Sequence, residues 1–243
     1  RPEFVYVYLA VVSLGAIIIP VNNSLVDREV DYIIRDAGAK LLVTDTALEV
    51  SCPSIDIHDL DFQASRDTCP EAPQFPEDIT EDDVCALVYT SGTTGSPKGA
   101  MLTHRNLVRN VEQFTQMVIF KPEDKILCVL PMFHCYGLTT VIHAGLMHGS
   151  TIVILRSKNP SEIINAIVEH SVTMAIMVPP MYNLLARRGE PSVMQTVHDF
   201  ISGGAPIPQP VAQAFYDRFH HPVREGYGLT EASPVVSVLP SDR

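Results

Sequence analysis

Apolar and polar positions along the chain alternate between two periods. Short continuous apolar runs at Ile17–Ile19, Leu41–Thr44, Cys85–Tyr89, Ile126–Leu130, Thr151–Leu155, Met174–Val178 and Phe200–Ser202 predict buried strands. An apolar stretch predicts a helix up to Leu14, and helical stretches are predicted from Asp27 to a stop at Gly38 and near 104–119, 137–147, 160–169, 180–187 and 208–218. Apolar strands separated by helices belong to parallel sheets covered on both faces, so the pattern predicts an α/β, doubly wound fold. Ligands in such folds collect at loops leaving the carboxyl ends of strands, here 90–99, 131–137, 202–206 and 226–231.

Charge divides this pattern. The 243 residues carry 17 Lys+Arg against 28 Asp+Glu, a net −11, which excludes a basic nucleic-acid binder. Residues 56–83 hold ten of the acids against Arg66, together with Pro70, Pro73 and Pro76. Like charges and prolines oppose packed structure, so 56–84 reads as an acidic connector between a partial βα region, 1–55, and an α/β region, 85–243. The uncharged run from Phe4 to Val21 is interrupted by Ser13, Gly15 and Pro20, and reads as a helix followed by a strand rather than a membrane span. Cys52, Cys69, Cys85, Cys128 and Cys135 form no C-x-x-C pair and read as reduced thiols, which implies a cytoplasmic setting; a peripheral place at a membrane is left open.

The stretch Tyr89 to Gly99 packs three glycines, five Ser/Thr hydroxyls and one lysine into eleven residues, a composition suited to a polyphosphate. It is not a Walker A loop: Gly92-x-x-Gly95-x-x-Lys98-Gly99 runs into an extended stretch, Ala100–Leu102, which predicts a hairpin-like flap. Tyr227 stands between two glycines that free its ring for stacking on a flat group. Thr230 and Glu231 pair a hydroxyl with a hard oxygen ligand of the kind that holds Mg²⁺ beside substrate phosphates. His134 follows a strand, and Gly203-Gly204 could form a tight turn.

Taken together, Thr90-Ser91-Gly92-Thr93-Thr94-Gly95-Ser96-Pro97-Lys98-Gly99 resembles the signature phosphate loop of adenylate-forming enzymes, the superfamily of acyl-CoA synthetases, firefly-type luciferases and peptide-synthetase adenylation domains. Pro131-Met132-Phe133-His134 is similar to that family's histidine motif, Ser202-Gly203-Gly204-Ala205-Pro206 to its adenine-side loop, and Gly226-Tyr227-Gly228-Leu229-Thr230-Glu231 to its Y-G-x-T-E motif. Gly15-Ala16 with Pro20-Val21-Asn22 is similar to its N-terminal pattern.

The resemblance implies two stacked, mostly parallel doubly wound sheets with helices on both faces, and a reaction in which ATP converts a carboxylic acid to an acyl-adenylate before coenzyme A takes the acyl group. It implies ATP binding by Thr90, Ser91, Gly92, Thr93, Thr94, Gly95 and Lys98 and by Gly203, Gly204, Ala205, Glu225, Gly226, Tyr227, Gly228, Leu229 and Thr230. His134, Thr230 and Glu231 would serve the chemistry, Glu231 holding Mg²⁺, and His134, Tyr136, Gly137, Val178 and Gly203 would line the acyl site. The stretch from Arg224 to Val236 looks most like bacterial long-chain fatty-acid–CoA ligases, so a fatty acid is the first expectation; an aryl-acid ligase, or a binding module without chemistry, is the alternative. The resemblance implies that the family's C-terminal domain would follow Arg243, so the chain reads as a central piece of such an enzyme. A homodimer is left open.

Overall fold

The computed structural model describes residues 1–62, 75–90 and 95–240. They form two compact units, Pro2–His104 and the residues from Arg105 onward. No helix among the described residues is long and apolar enough to cross a membrane.

In the smaller unit, α1 (Pro2–Ser13) and α2 (Asp27–Ala37) precede a short parallel pair, β1 (Leu42–Thr44) with β2 (Ser54–Asp56). Glu29 accepts the Val26 N–H at 3.0 Å, which satisfies an otherwise free donor at the start of α2, and Gly38 caps its end. The strand expected at Ile17–Ile19 is reduced to one parallel bridge, Ile18 with Ala86. β3 (Val84–Thr90) and β4 (Lys98–Thr103) form the antiparallel hairpin that the phosphate-loop sequence predicts. Of the expected 56–84 connector, the described part carries the end of β2 and a 3₁₀ turn, Ile57–Asp59; residues 63–74 lie outside the described residues.

The larger unit is built on a six-stranded sheet. α3 (His104–Phe114) leads to β5 (Lys125–Cys128). A continuous helical segment, α4, then runs through Cys135–Gly137, a π turn at Leu138–His143, and Ala144–Met147. β6 (Thr151–Ile154), α5 (Pro160–His170), β7 (Met174–Met177), α6 (Pro179–Arg188), β8 (Asp199–Ser202), α7 (Gln209–Phe219), β9 (Val223–Gly228) and β10 (Val235–Val238) follow. The strand order is β10-β9-β8-β7-β5-β6, parallel except for β10.

Every residue of β7 and β8 is buried, as a sheet covered on both faces requires. On one face Leu127, Ala175, Met177 and Phe200 pack with Ile167 of α5, Tyr182 of α6 and Phe215 of α7. On the other, Gly145 of α4 lies so close to Ile126 and Ile152 that an added Cβ would meet them at 3.1 and 3.0 Å. The Tyr182 hydroxyl, fully buried, reaches the carbonyls of Ala175 and Ile201 at 3.0 and 2.8 Å and ties α6 to two strands.

The sequence reading of 226–231 as a loop is corrected here. Val223–Gly228 is a strand, and β10, which was not expected, pairs with it antiparallel through Val235 with Gly228 and Val238 with Gly226. Arg224, Glu225 and two glycines give this strand no apolar run, so its periodicity is invisible.

Candidate active site

The strand order marks a place in the larger unit. The chain leaves β5 for β6 on one side and reaches β7 on the other, so the carboxyl ends of β5 and β7 flank the switch point where doubly wound sheets open a crevice. The segments leaving there hold His134 and Tyr136 after β5, and Val178 after β7.

His134 caps the first turn of α4. The Tyr136 N–H donates to its Nδ1 at 3.1 Å. A ring nitrogen that accepts carries no proton, so the neutral ring holds its proton on Nε2. Burial of its inner side lowers the His134 pKa below the ordinary imidazole value, which keeps the ring neutral near pH 7. An imidazole fixed in this way presents one N–H donor, suited to orienting a carboxylate.

Tyr136 packs at the carboxyl ends of β7 and β8. Its hydroxyl donates to the Met177 carbonyl at 3.4 Å, and its ring lies so close to Gly203 that an added Cβ would sit 2.7 Å from Cζ. Burial pushes the phenol well above its usual pKa, so it remains a donor. Gly203 donates its N–H to the Met177 carbonyl at 3.2 Å, and an added Cβ on Gly204 would be 3.6 Å from Val178 Cγ1. The structure therefore brings Tyr136, Val178, Gly203 and Gly204 together. Gly137 is buried, and a Cβ there would lie 2.7 Å from the Pro131 carbonyl oxygen, so close backbone approach alone requires glycine.

A second contact joins two motifs far apart in sequence: Cys135 Sγ lies 3.1 Å from Thr230 Oγ1. Thr230 opens a 3₁₀ turn, Thr230–Ala232, directly after β9. Upstream on β9, Glu225 pairs with Ser202 in the ladder and accepts the Ile207 N–H at 3.0 Å, tying β9 to the segment that carries Ala205. Tyr227, 58% exposed, offers an open ring face.

Glu231 borders a polar cleft of about 370 Å³, lined also by Arg105, Asn106, Arg109 and Gln113 of α3 and by Ser233. No group of three or more His, Cys, Asp or Glu capable of holding a metal occurs among the described residues.

The remaining site residues belong to the smaller unit. Thr90 and Lys98 are partners at the loop end of the β3–β4 hairpin, and Lys98 is exposed. The Tyr32 hydroxyl of α2 donates to the Pro97 carbonyl at 3.2 Å, and the Tyr89 hydroxyl to Asp36 at 2.6 Å, so both arms of the loop are anchored. Ser91, Gly92, Thr93 and Thr94 lie outside the described residues.

Two features escaped the sequence reading. Asn110, a polar side chain on the face of α3 that buries Leu107, Val111 and Phe114, bonds to the backbone of Ala232 and Val235. Its place on an apolar face was the available signal. The second is a buried ion pair in which Arg224 Nε donates to Asp199 Oδ1 at 2.7 Å and Arg224 Nη2 to Asp199 Oδ2.

Among curated relatives, 4-coumarate–CoA ligase 3 of Oryza sativa subsp. japonica is 34% identical over 98% of this chain and 46% of its own length. The feruloyl-CoA synthase of Amycolatopsis sp is 32% identical over 98% of this chain and 49% of its own. The crystal structure of ATP-bound MatB from Rhodopseudomonas palustris superposes with a TM-score of 0.85 at 27% identity, covering 100% of this chain and 50% of that one. The chain thus spans about half the length of the curated relatives it matches. The family model described as AMP-binding enzyme matches residues 1–243, and the chain belongs to that family.

Proposed function

We propose that this chain carries the acid-activating core of an AMP-forming acid–CoA ligase whose acid is a flat aryl acid of the hydroxycinnamate kind. The observation that carries the reading is the likeness, along nearly the whole chain, to 4-coumarate–CoA ligases and a feruloyl-CoA synthase. The wall made by the Tyr136 ring packed against Gly203 supports it, because an aromatic wall suits a planar acid. The fatty acid expected first, from the stretch between Arg224 and Val236, gives way to the aryl alternative on these relatives.

In the first step the acid's carboxylate attacks the α-phosphorus of ATP, the bond to pyrophosphate breaks, and an acyl-adenylate forms. The coenzyme A thiol then attacks the acyl carbon and AMP leaves. Two anions must be brought together, so the work falls to positioning and electrostatics. His134 Nε2–H orients the acid. Thr230 serves the α-phosphate, Tyr227 stacks on adenine, and the backbone from Gly203 to Ala205 with Glu225 to Gly228 borders the base. The β- and γ-phosphates are assigned, on the resemblance, to the loop from Thr90 to Lys98.

Mg²⁺ binds proteins through one or two carboxylates with substrate phosphates and keeps much of its water. A lone Glu231 carboxylate next to the Thr230 hydroxyl fits that habit better than a full protein cage would. When bound, the ion supplies charge neutralisation on the phosphates.

The test is ATP–pyrophosphate exchange with p-coumarate, ferulate, octanoate, palmitate or no acid. Exchange that depends on the aryl acids is expected. Exchange with palmitate alone would restore the fatty-acid reading, and MgATP binding without exchange under any acid would leave a binding module.

A further inference from the structure

We infer that Asn110 is a positioning residue for the Thr230–Glu231 turn, and through it for the adenylation step; the inference rests on the activity proposed above. Asn110 is 5% exposed on α3. Its amide nitrogen donates to the Val235 carbonyl at 2.8 Å and to the Ala232 carbonyl at 3.3 Å, while its Oδ1 accepts the Val235 N–H at 3.0 Å. One side chain thus engages three backbone groups, meeting Val235 as a neighbouring strand would, with both N–H and C=O paired.

Those groups belong to the segment that leaves Glu231. It is irregular: Ser233 has φ 78°, and the β9–β10 register shifts between Val235 and Ser237. Besides the pairing of Val235 with Gly228, its backbone ties include Leu229 N–H to the Pro234 carbonyl at 2.9 Å, Ala232 N–H to the Leu229 carbonyl at 2.9 Å and Ser233 N–H to the Thr230 carbonyl at 3.1 Å. Asn110 fastens the exit of this turn to α3, while β9 fixes its entry and Cys135 meets Thr230. A turn held at both ends keeps Thr230 and Glu231 in one arrangement before substrate arrives. A leucine at 110 has nearly the same shape but no hydrogen bonds; aspartate keeps the acceptor for Val235 N–H and loses both donors.

The experiment compares wild type, N110L and N110D by amide hydrogen exchange and by steady-state ATP–pyrophosphate exchange with p-coumarate. For N110L, deuterium uptake should rise about 10-fold or more in peptides spanning 229–238 and stay unchanged in those covering β7. The kcat should fall about 10- to 100-fold while the KM for p-coumarate stays within about 3-fold, because misplacement of reacting groups is felt in turnover. N110D should fall between N110L and wild type in both readouts, and it carries the comparison if N110L does not fold. Unchanged uptake at 229–238 would overturn the clamp. Faster uptake with unchanged kcat would make Asn110 a structural residue only and overturn the positioning role. A wild type inactive with every acid would defeat the activity reading and the positioning role with it, while the uptake comparison still decides whether the clamp exists.

Discussion

At the scale of single residues, His134 is defined by which of its nitrogens is occupied. Nδ1 accepts the Tyr136 N–H and burial holds the ring below the ordinary imidazole pKa, so near neutral pH the histidine offers a donor and no positive charge. Protonation would place a second donor on Nδ1, facing the Tyr136 N–H, and break the bond that orients the ring. The sign follows: the neutral, working form is fully present above the lowered pKa and is lost as pH falls through it. We expect His134→Ala to lower kcat for acid-dependent pyrophosphate exchange about 100-fold, the low end of what a positioned donor contributes. The pH–rate profile distinguishes this from damage to folding. The wild type should show an acid limb below pH 6.5, and His134→Asn, which retains a donor but does not titrate, should lose that limb. An acid limb of the same midpoint in His134→Asn would remove His134 from the reaction.

At the scale of elements, β9 carries Glu225 to Gly228, which we propose to border the nucleotide, and an ion pair fixes its start. Arg224 is buried with Asp199 of β8 and donates in addition to the Leu239 carbonyl at 2.8 Å. Removing the carboxylate leaves a guanidinium in a buried place without its counter-charge, so Asp199→Ala should cost about 3–5 kcal/mol in urea unfolding. A loss below about 1 kcal/mol, the value of an exposed pair, would show that solvent reaches Arg224. The same strand explains where sequence reading stops. The strands β5 to β8 were legible because each is a continuous apolar run between helices, and α2 because Asp27 and Gly38 bound it. β9 and β10 were not, since glycines and charges hide the strand period and β10 exists only by pairing with β9. The site strings were legible as strings, but contacts such as Cys135 with Thr230, or Asn110 with Val235, join positions about a hundred residues apart and are fixed only by packing. The first expectation for the acid drew on a stretch away from the proposed acid wall. The stretch from Arg224 to Val236 forms β9, the Thr230 turn and the start of β10, whereas the wall that would meet the acid is built from Tyr136, Val178 and Gly203.

At the scale of the whole molecule, the shifted groups divide acid sensitivity into two stages. His143, in the π turn of α4, is held by burial at a pKa of about 4. An unfolded chain takes up that proton near the ordinary value of about 6.5, so as pH falls through this window the unfolded state binds more protons and stability declines, levelling off below about 4. His134 is lowered for the same reason and adds to this upper stage. The carboxylates act lower. For Asp124, burial raises the pKa, but hydrogen bonds from His198 at 2.9 Å, Thr173 at 2.8 Å and the Lys121 N–H at 2.7 Å outweigh it and leave the pKa lowered. Asp31, through its bonds with Ser51, and Asp83, through Thr80, are lowered too. Their contribution is present above the usual carboxylate value of about 4 and is lost as pH falls through their lower folded values. Urea midpoints measured from pH 7.5 to pH 3 should therefore fall in two steps, one beginning near 6.5 and the other below about 4. His143→Gln removes one titrating group and should shrink the first step by about 1–3 kcal/mol, leaving the His134 share and the second step in place. A first step of equal depth in His143→Gln would assign the upper window to other groups, whatever the variant does to stability at pH 7.5.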